Sequence, residues 1–171
     1  YNLFKMKEII INKEIIKRAE ARLKDIGNSN ETRINKFGSE KNRILIGYIG
    51  EEIIKEFLNI KSNSETYEYD IVSKGKKIEV KTISCSFKPK LNYLCTVNSH
   101  DLNKVHKQDA DYYIFLRINS DFSKGWILGY IKCPDFFKKG TFVEKGEDFG
   151  AFRFTKANAT VLEIKELTPI N

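Results

Sequence analysis

Two acids and a lysine lie close together in the stretch YDIVSKGKKIEVKT, residues 69–82, at Asp70, Glu79 and Lys81. Carboxylates are the side chains that most often hold Mg²⁺, and an ammonium group beside them can meet a phosphate or an attacking water. Charged residues on a strand are also common on solvated surfaces. The stretch is therefore a candidate for metal-dependent phosphate chemistry, with a solvated surface as the alternative.

The same stretch has the pattern of a β-hairpin. Residues 69–72 and 78–82 are rich in β-branched and aromatic side chains that alternate with polar ones, and Lys74 and Gly75 supply a turn between them. In this register Asp70 faces Glu79, and Lys81 shares the sheet face of Glu79. Acids that face each other destabilise a sheet unless a cation lies between them, so the hairpin predicts a site for a hard divalent metal ion.

The elements around the hairpin predict a single α/β domain. We expect helices over 6–27, 44–59, 99–110 (capped by Ser99) and 134–139, with a polar connection over 28–43. We expect strands over 91–98, 111–118 and 125–132, and later ones around 152–154 and 160–167. We expect one domain over residues 1–171. Residues 1–5 precede the only methionine, and we interpret them as residues added for expression.

Composition restricts the class of protein. The chain has 171 residues, of which 41% are hydrophobic and 12% aromatic, enough to form a core. No apolar run approaches the length of a membrane span, and no secretory signal precedes the first predicted helix. The three cysteines, Cys85, Cys95 and Cys133, follow no CxxC spacing, which argues against a disulfide framework or a zinc finger. We therefore expect an intracellular, cytoplasmic protein in a reducing compartment.

The charge balance favours a polyanionic partner. Lys and Arg number 30 against 23 Asp and Glu, a formal net charge of +7. Nucleic acid is the first expectation, because no long helix combines a cationic face with a strongly apolar one, as a membrane-surface helix would. The polar connection over 28–43 is either a flexible connector or an arm that grips phosphates through Arg33, Lys36, Lys41 and Arg43. Four lysines near the predicted site are further candidate phosphate contacts, although a solvated lysine is the commoner explanation for each: Lys88, Lys90, Lys104 and Lys107.

The order of these features resembles the PD-(D/E)XK nuclease superfamily. Over about residues 44–118 a helix with a glutamate precedes a strand near Asp70, a strand with the E-x-K spacing of Glu79 and Lys81, and then a helix and a further strand. One departure is Tyr69, where the family motif has proline. The resemblance implies a restriction-endonuclease-like core: a mixed central sheet flanked by helices, with two N-terminal helices.

The resemblance also implies a role for each site residue. Asp70 and Glu79 would hold Mg²⁺ or Mn²⁺, and Lys81 would position or activate the attacking water. The sequence GYIGEE looks like the helix that brings a further acid to this site, either Glu51 or Glu52. We choose Glu51 as a third ligand because it neighbours the apolar helix stripe and follows the small Gly47 by one turn. Its alternative role is a surface pair with Lys55.

The expected activity is hydrolysis of phosphodiester bonds, as a DNA endonuclease that leaves a 5′-phosphate. Endonuclease action is favoured because no ATPase or processivity module is recognised in the sequence. Many such nucleases pair as homodimers to cut both strands, so the resemblance leaves a homodimer open. The alternative is a catalytically inactive nucleic-acid-binding or protein-interaction module on the same fold. The complete set of Asp70, Glu79 and Lys81 argues against this alternative, since an active site that has lost its activity usually lacks at least one catalytic residue.

Overall fold

The computed structural model describes residues 5–29, 38–61, 69–98, 109–150, 152–153 and 157–170. Within them the helices are α1 (Lys13–Ser29), α2 (Gly38–Phe57) and α3 (Cys133–Lys139). The strands are β1 (Lys7–Ile10), β2 (Ile71–Ser73), β3 (Lys76–Cys85), β4 (Leu94–Asn98), β5 (Tyr112–Asn119), β6 (Lys124–Lys132), β7 (Thr141–Val143), β8 (Asp148–Phe149), β9 (Phe152–Arg153) and β10 (Ala159–Glu163). A 3₁₀ turn, Ile164–Glu166, follows β10.

The central sheet has five strands in the order β1-β6-β5-β3-β2. β3 and β5 run parallel, whereas the other neighbours are antiparallel. A parallel pair needs a long crossover, and the chain between β3 and β5 supplies one that includes β4. The expected α/β class with a mixed central sheet is confirmed.

The two faces of the central sheet are covered differently. Helices α1 and α2 pack on one face through a core rich in isoleucine: Ile15, Ala19, Ile49, Ile53, Val80, Ile114 and Leu116. The other face is covered by α3 and by a second sheet of order β4-β10-β7, whose core is largely aromatic and aliphatic: Tyr113, Phe115, Trp126, Leu128, Phe136 and Leu162. Since β-strand side chains alternate, Glu79 and Lys81 point to this second face while Val80 points to the helices.

The prediction of a helix over 6–27 was wrong at its start. The chain first forms β1, an edge strand paired with β6, and α1 begins only at Lys13. The side chain of Asn12 explains the boundary, because its Oδ1 accepts a hydrogen bond from the Ile15 N–H at 3.0 Å, as an N-cap residue does. The β-branched run before Asn12 is used for sheet pairing instead of a helix face.

Other boundaries also differ. Helix α2 begins at Gly38 and not at 44, so residues 38–43 of the predicted polar connection are helical, which suits a segment containing Glu, Lys and Arg. The strand expected over 91–98 begins at Leu94, because the Tyr93 N–H closes a turn on the Lys90 carbonyl. The strand expected over 160–167 ends at Glu163, where the 3₁₀ turn begins. The helix expected over 99–110 falls almost wholly outside the described residues.

The hairpin around the candidate residues has the predicted register. Ile71 pairs with Ile78 and Ser73 with Lys76, so the turn is centred on Lys74 and Gly75. Both turn residues have positive φ, 48° and 73°, as expected for the two-residue turn that matches the twist of an antiparallel pair. The ladder ends at the Ile71–Ile78 pair, so Asp70 and Glu79, which the sequence predicts to face each other, lie just beyond it.

Helix α2 approaches β3 closely at Gly50. A Cβ atom at this position would lie 2.8 Å from the Thr82 Cβ and 2.9 Å from its Cγ2. Because threonine is branched at Cβ, rotation of its side chain cannot clear both contacts. Gly47 was expected to provide the space on this helix, but a Cβ there would meet nothing within 4 Å. The close approach therefore depends on Gly50, not on Gly47.

We expect Gly50→Ala to destabilise the protein by about 1–3 kcal/mol, because an added methyl group forces α2 away from β3. Gly47→Ala is the matched control in the same helix, and it should stabilise the fold by about 0.5–1 kcal/mol through helix propensity. Urea unfolding of both variants measures the difference. Equal stabilities of the two variants would contradict the packing described at Gly50.

Candidate active site

The backbone of the hairpin fixes Asp70 at the edge of the central sheet. Its N–H donates to the Ile78 carbonyl at 3.0 Å, next to the last pair of the β2–β3 ladder. Its carboxylate Oδ2 accepts a hydrogen bond of 2.7 Å from the Val80 N–H. The carboxylate thus lies beside β3 at the sheet edge, where side chains from either face can approach it.

Glu79 and Lys81 reach the site from the sheet face opposite the helices. Glu79 is buried, with 6% of its surface exposed, and Lys81 is half-buried. The Lys81 Nζ lies 2.6 Å from the Glu79 Oε1, a charge-assisted hydrogen bond within one strand. In the parallel register Glu79 pairs with Tyr113 and Lys81 with Phe115, so two aromatic residues of β5 neighbour this ion pair.

Glu51 reaches the site from helix α2, directly after Gly50. It is buried, with 8% of its surface exposed, and its Oε2 is 2.5 Å from the Arg22 Nη2. The closeness of α2 and β3 at Gly50 explains how a helix residue comes within electrostatic reach of Asp70. Burying Glu51 next to other acids requires a compensating charge, and Arg22 of α1 supplies one.

The neighbouring Glu52 belongs to a different set of contacts. It accepts hydrogen bonds from Arg18 at 2.9 Å, Arg22 at 3.1 Å and Lys55 at 3.3 Å. Hydrogen bonds and charges from these groups hold the pKa of Glu52 below its ordinary value against the opposing effect of burial. Because Glu52 is held in the contact between α1 and α2, Glu51 is the better candidate for the acid that α2 brings to Asp70.

The electrostatics of Asp70 join the three acids into one cluster. Burial, and then the negative charges of Glu51 and Glu79, raise the pKa of the Asp70 carboxyl to about 8. The hydrogen bond from Val80 and the charge of Lys81 act in the opposite direction but do not offset the rise. Asp70 therefore lies within electrostatic reach of both Glu51 and Glu79.

The donor set fits a hard divalent cation by its chemistry. Three carboxylates match the oxygen ligands that Mg²⁺ and Mn²⁺ accept, and burial together with the charges of Glu51 and Glu79 raises the pKa of Asp70. Within the described residues no three His, Cys, Asp or Glu side chains are already arranged as a metal site. One oxygen of Glu79 contacts Lys81 and one of Glu51 contacts Arg22, so both of these acids have cationic neighbours.

The buried thiols near the cluster are not nucleophiles. Burial raises the pKa of the Cys133 thiol to about 12, and Tyr113 lies against it on the same face as Glu79. Burial likewise raises the pKa of Cys95 to about 12. Cys85, Cys95 and Cys133 are all free thiols, as their spacing predicted. The chemistry of the site therefore falls to the carboxylates and Lys81.

The predicted phosphate contacts are spread over several segments. Lys41 and Arg43 are exposed on the early turns of α2, and Lys88 and Lys90 are exposed in the loop after β3. The remaining four, Arg33, Lys36, Lys104 and Lys107, lie outside the described residues. In the same loop Phe87 is 78% exposed, an aromatic side chain that the charge pattern alone did not single out.

Arg22 is the principal residue of the site that the sequence did not reveal. It and Arg18 lie one turn apart on α1 and both contact acids of α2. The only signal was this pair of arginines on one predicted helix and the Glu51-Glu52 pair on the next. Nothing in a single sequence states that the two helices pack with these faces together.

The fold and the site define an α/β protein with a mixed five-stranded sheet and a buried acidic cluster at the sheet edge. The sequence matches no protein-family model and no curated protein. None of the helices that the structure describes is long and apolar enough to cross a membrane.

The raised pKa of Asp70 predicts a specific pH dependence of stability without metal. The folded protein keeps the Asp70 proton up to about pH 8, whereas the unfolded chain releases it near its ordinary pKa of 3.8. Between these values the folded state binds more protons, so the free energy of unfolding contributed by Asp70 falls as the pH rises. Asp70→Asn should remove this decrease in the free energy of unfolding and should be more stable than wild type at pH 8. Urea unfolding in EDTA measures both proteins.

The control for this prediction is Asp135→Asn, which removes an exposed carboxylate from α3. It should follow the wild-type pH profile. If Asp70→Asn instead unfolds at lower urea than wild type at every pH, Asp70 is a structural acid whose hydrogen bond to Val80 outweighs the repulsion.

Proposed function

We propose that this protein is a metal-dependent nuclease of the PD-(D/E)XK type on a restriction-endonuclease-like core. It hydrolyses phosphodiester bonds of DNA as an endonuclease and leaves a 5′-phosphate. The observation that carries the proposal is the convergence of Asp70, Glu79 and Glu51 in one electrostatic cluster, with Lys81 2.6 Å from Glu79. Sheet register and helix packing bring these four residues together from three separate elements.

In this proposal Asp70, Glu79 and Glu51 would hold Mg²⁺ or Mn²⁺. When bound, such a cation supplies a more acidic water and neutralises charge on the phosphate. The chain prepares the position in two ways. The Val80 N–H orients the Asp70 carboxylate, and the core around β3 keeps Glu79 out of bulk water. Weak solvation strengthens the attraction of the carboxylates for a cation.

Lys81 has the exposure that its proposed role requires. Its side chain is 28% exposed, so its ammonium group lies at the boundary between the buried acids and solvent. There it can donate a hydrogen bond to a phosphate oxygen or orient a water for in-line attack. The hydrogen bond to Glu79 holds the ammonium group near the cluster before substrate arrives.

Nucleic acid is the proposed partner because its charge complements this surface. The chain carries a formal net charge of +7, and exposed Lys88 and Lys90 follow the strand that carries Glu79 and Lys81. Lysines contribute through phosphate neutralisation, which does not depend on sequence. We take DNA as the substrate, and a homodimer would allow both strands of a duplex to be cut.

The direct test is incubation with supercoiled plasmid and with labelled single-stranded DNA and RNA, each in Mg²⁺, Mn²⁺ or EDTA. We expect nicking or linearisation of the plasmid in the presence of metal and none in EDTA. End-labelling of the products identifies a 5′-phosphate. Absence of metal-dependent cleavage of every substrate would refute the nuclease proposal and favour a binding or interaction module.

Substitutions should separate metal binding from turnover. Lys81→Ala should keep Mg²⁺ binding, because it leaves all three carboxylates in place. It should nevertheless lose cleavage by about 10²–10⁴-fold, as expected for loss of a group that assists proton transfer. Glu79→Ala should lose both together, because it removes a ligand. Calorimetry measures metal binding, and single-turnover cleavage measures the chemical step.

Lys76→Ala is the matched control, since it removes an exposed lysine from the same strand. It should alter neither metal binding nor single-turnover cleavage. Wild-type cleavage by Lys81→Ala would show that the assigned role of this lysine is wrong and would leave the mechanism to the acids alone. Glu79→Gln is a second variant of nearly the same volume should the alanine variant fail to fold.

A further inference from the structure

The guanidinium group of Arg22 joins helix α1 to two consecutive acids of α2. Its Nη2 lies 2.5 Å from the Glu51 Oε2 and its Nη1 3.1 Å from the Glu52 Oε1. The guanidinium carbon is 4.0 Å from the centroid of the Tyr48 ring. With a side-chain exposure of only 13%, Arg22 is held on several sides.

The geometry of α2 explains why these contacts occur together. Tyr48 precedes Glu51 by three residues and Glu52 by four, so the ring and the two carboxylates lie on neighbouring parts of one helix surface. A planar guanidinium can stack on the ring and donate to two acceptors at once. A lysine ammonium in the same place could not reproduce this fork.

The second acid anchors the arrangement. Glu52 is also held by Arg18 at 2.9 Å and by Lys55 at 3.3 Å, and 5% of its surface is exposed. Arg22 and Lys55 share the Glu52 Oε1, whereas Arg18 binds the other oxygen, Oε2. The Arg22 nitrogen on Oε1 is therefore anchored at an oxygen that Arg18 does not bind, and its other nitrogen sets the position of one Glu51 oxygen. The orientation of Glu51 is thus determined from α1.

We propose that Arg22 is the positioning residue of the metal site: by holding one oxygen of the Glu51 carboxylate, it sets the orientation in which Glu51 meets a divalent cation beside Asp70. This inference depends on the function proposed above. Residues that orient metal ligands through hydrogen bonds typically change metal affinity or activity by about 10–100-fold when they are substituted. The rival role, in which Arg22 only neutralises Glu51, has the opposite consequence, because removal of a positive charge would strengthen cation binding.

The test compares Arg22→Gln with Arg18→Gln, one turn earlier on the same helix. Arg18 donates to the Glu52 Oε2 and to Glu56, so its loss removes a comparable charge and leaves the contacts of Arg22 with Glu51 and with the Glu52 Oε1 in place. Calorimetry with Mg²⁺ alone should show affinity weakened about 10-fold or more in Arg22→Gln and within about 2-fold of wild type in Arg18→Gln. In cleavage assays the loss in Arg22→Gln should be reduced at high Mg²⁺.

Two further variants make the result specific. Arg22→Lys should preserve the fold if Arg22→Gln does not, and should recover only part of the Mg²⁺ affinity because it lacks the fork. Glu51→Gln should weaken Mg²⁺ binding, and adding Arg22→Gln to it should weaken binding no further, as expected when one residue acts through the other.

Each remaining outcome has a defined meaning. Wild-type or tighter Mg²⁺ binding by Arg22→Gln would overturn the positioning role, and so would an equal loss in Arg18→Gln. Either result leaves the nuclease proposal intact if the wild-type protein binds Mg²⁺ and cleaves DNA. A wild-type protein that takes up no Mg²⁺ and cleaves nothing would overturn both.

Discussion

Repulsion among three carboxylates in one poorly solvated place is the constraint on which the rest of the site depends. Asp70, Glu51 and Glu79 come from a sheet edge, a helix and a sheet face, and the pKa of Asp70 shows that they act on one another. The fold tolerates the cluster because each acid has a compensating donor: the Val80 N–H, Arg22 and Lys81 respectively. Such an arrangement costs stability. In the proposed function that cost is offset by the gain in attraction for a cation.

The position of each acid follows from how the layers meet. β2 has only three residues, so Asp70 lies just beyond its end and its carboxylate can turn toward the edge of β3. Helix α2 reaches the same edge because Gly50 permits close approach to Thr82. The site thus combines residues from both faces of the sheet at its edge. Neither the hairpin nor the helix alone would bring three acids together.

Local patterns predicted the elements of the fold better than their boundaries or the layers they form. The hairpin and its Lys74-Gly75 turn were predictable because alternation and turn chemistry act within a few residues. β1 was missed because a run of isoleucines suits a helix or a strand equally, and pairing with β6 decided between them. The three-stranded sheet on the second face and the Arg22 contacts depend on packing between distant segments. The roles assigned to Asp70, Glu79, Lys81 and Glu51 remain predictions of chemistry, although their proximity is a property of the structure.

The hydrogen-bond donors that orient the acids differ in how easily a mutation removes them. Asp70 is held by a main-chain N–H of Val80, which every residue except proline supplies, so drift at that position leaves the hydrogen bond in place. Glu51 is held by the Arg22 side chain, which a single codon change removes. Substitution at position 80 by any residue except proline therefore leaves a donor for Asp70, whereas substitution at position 22 removes the guanidinium group that orients Glu51.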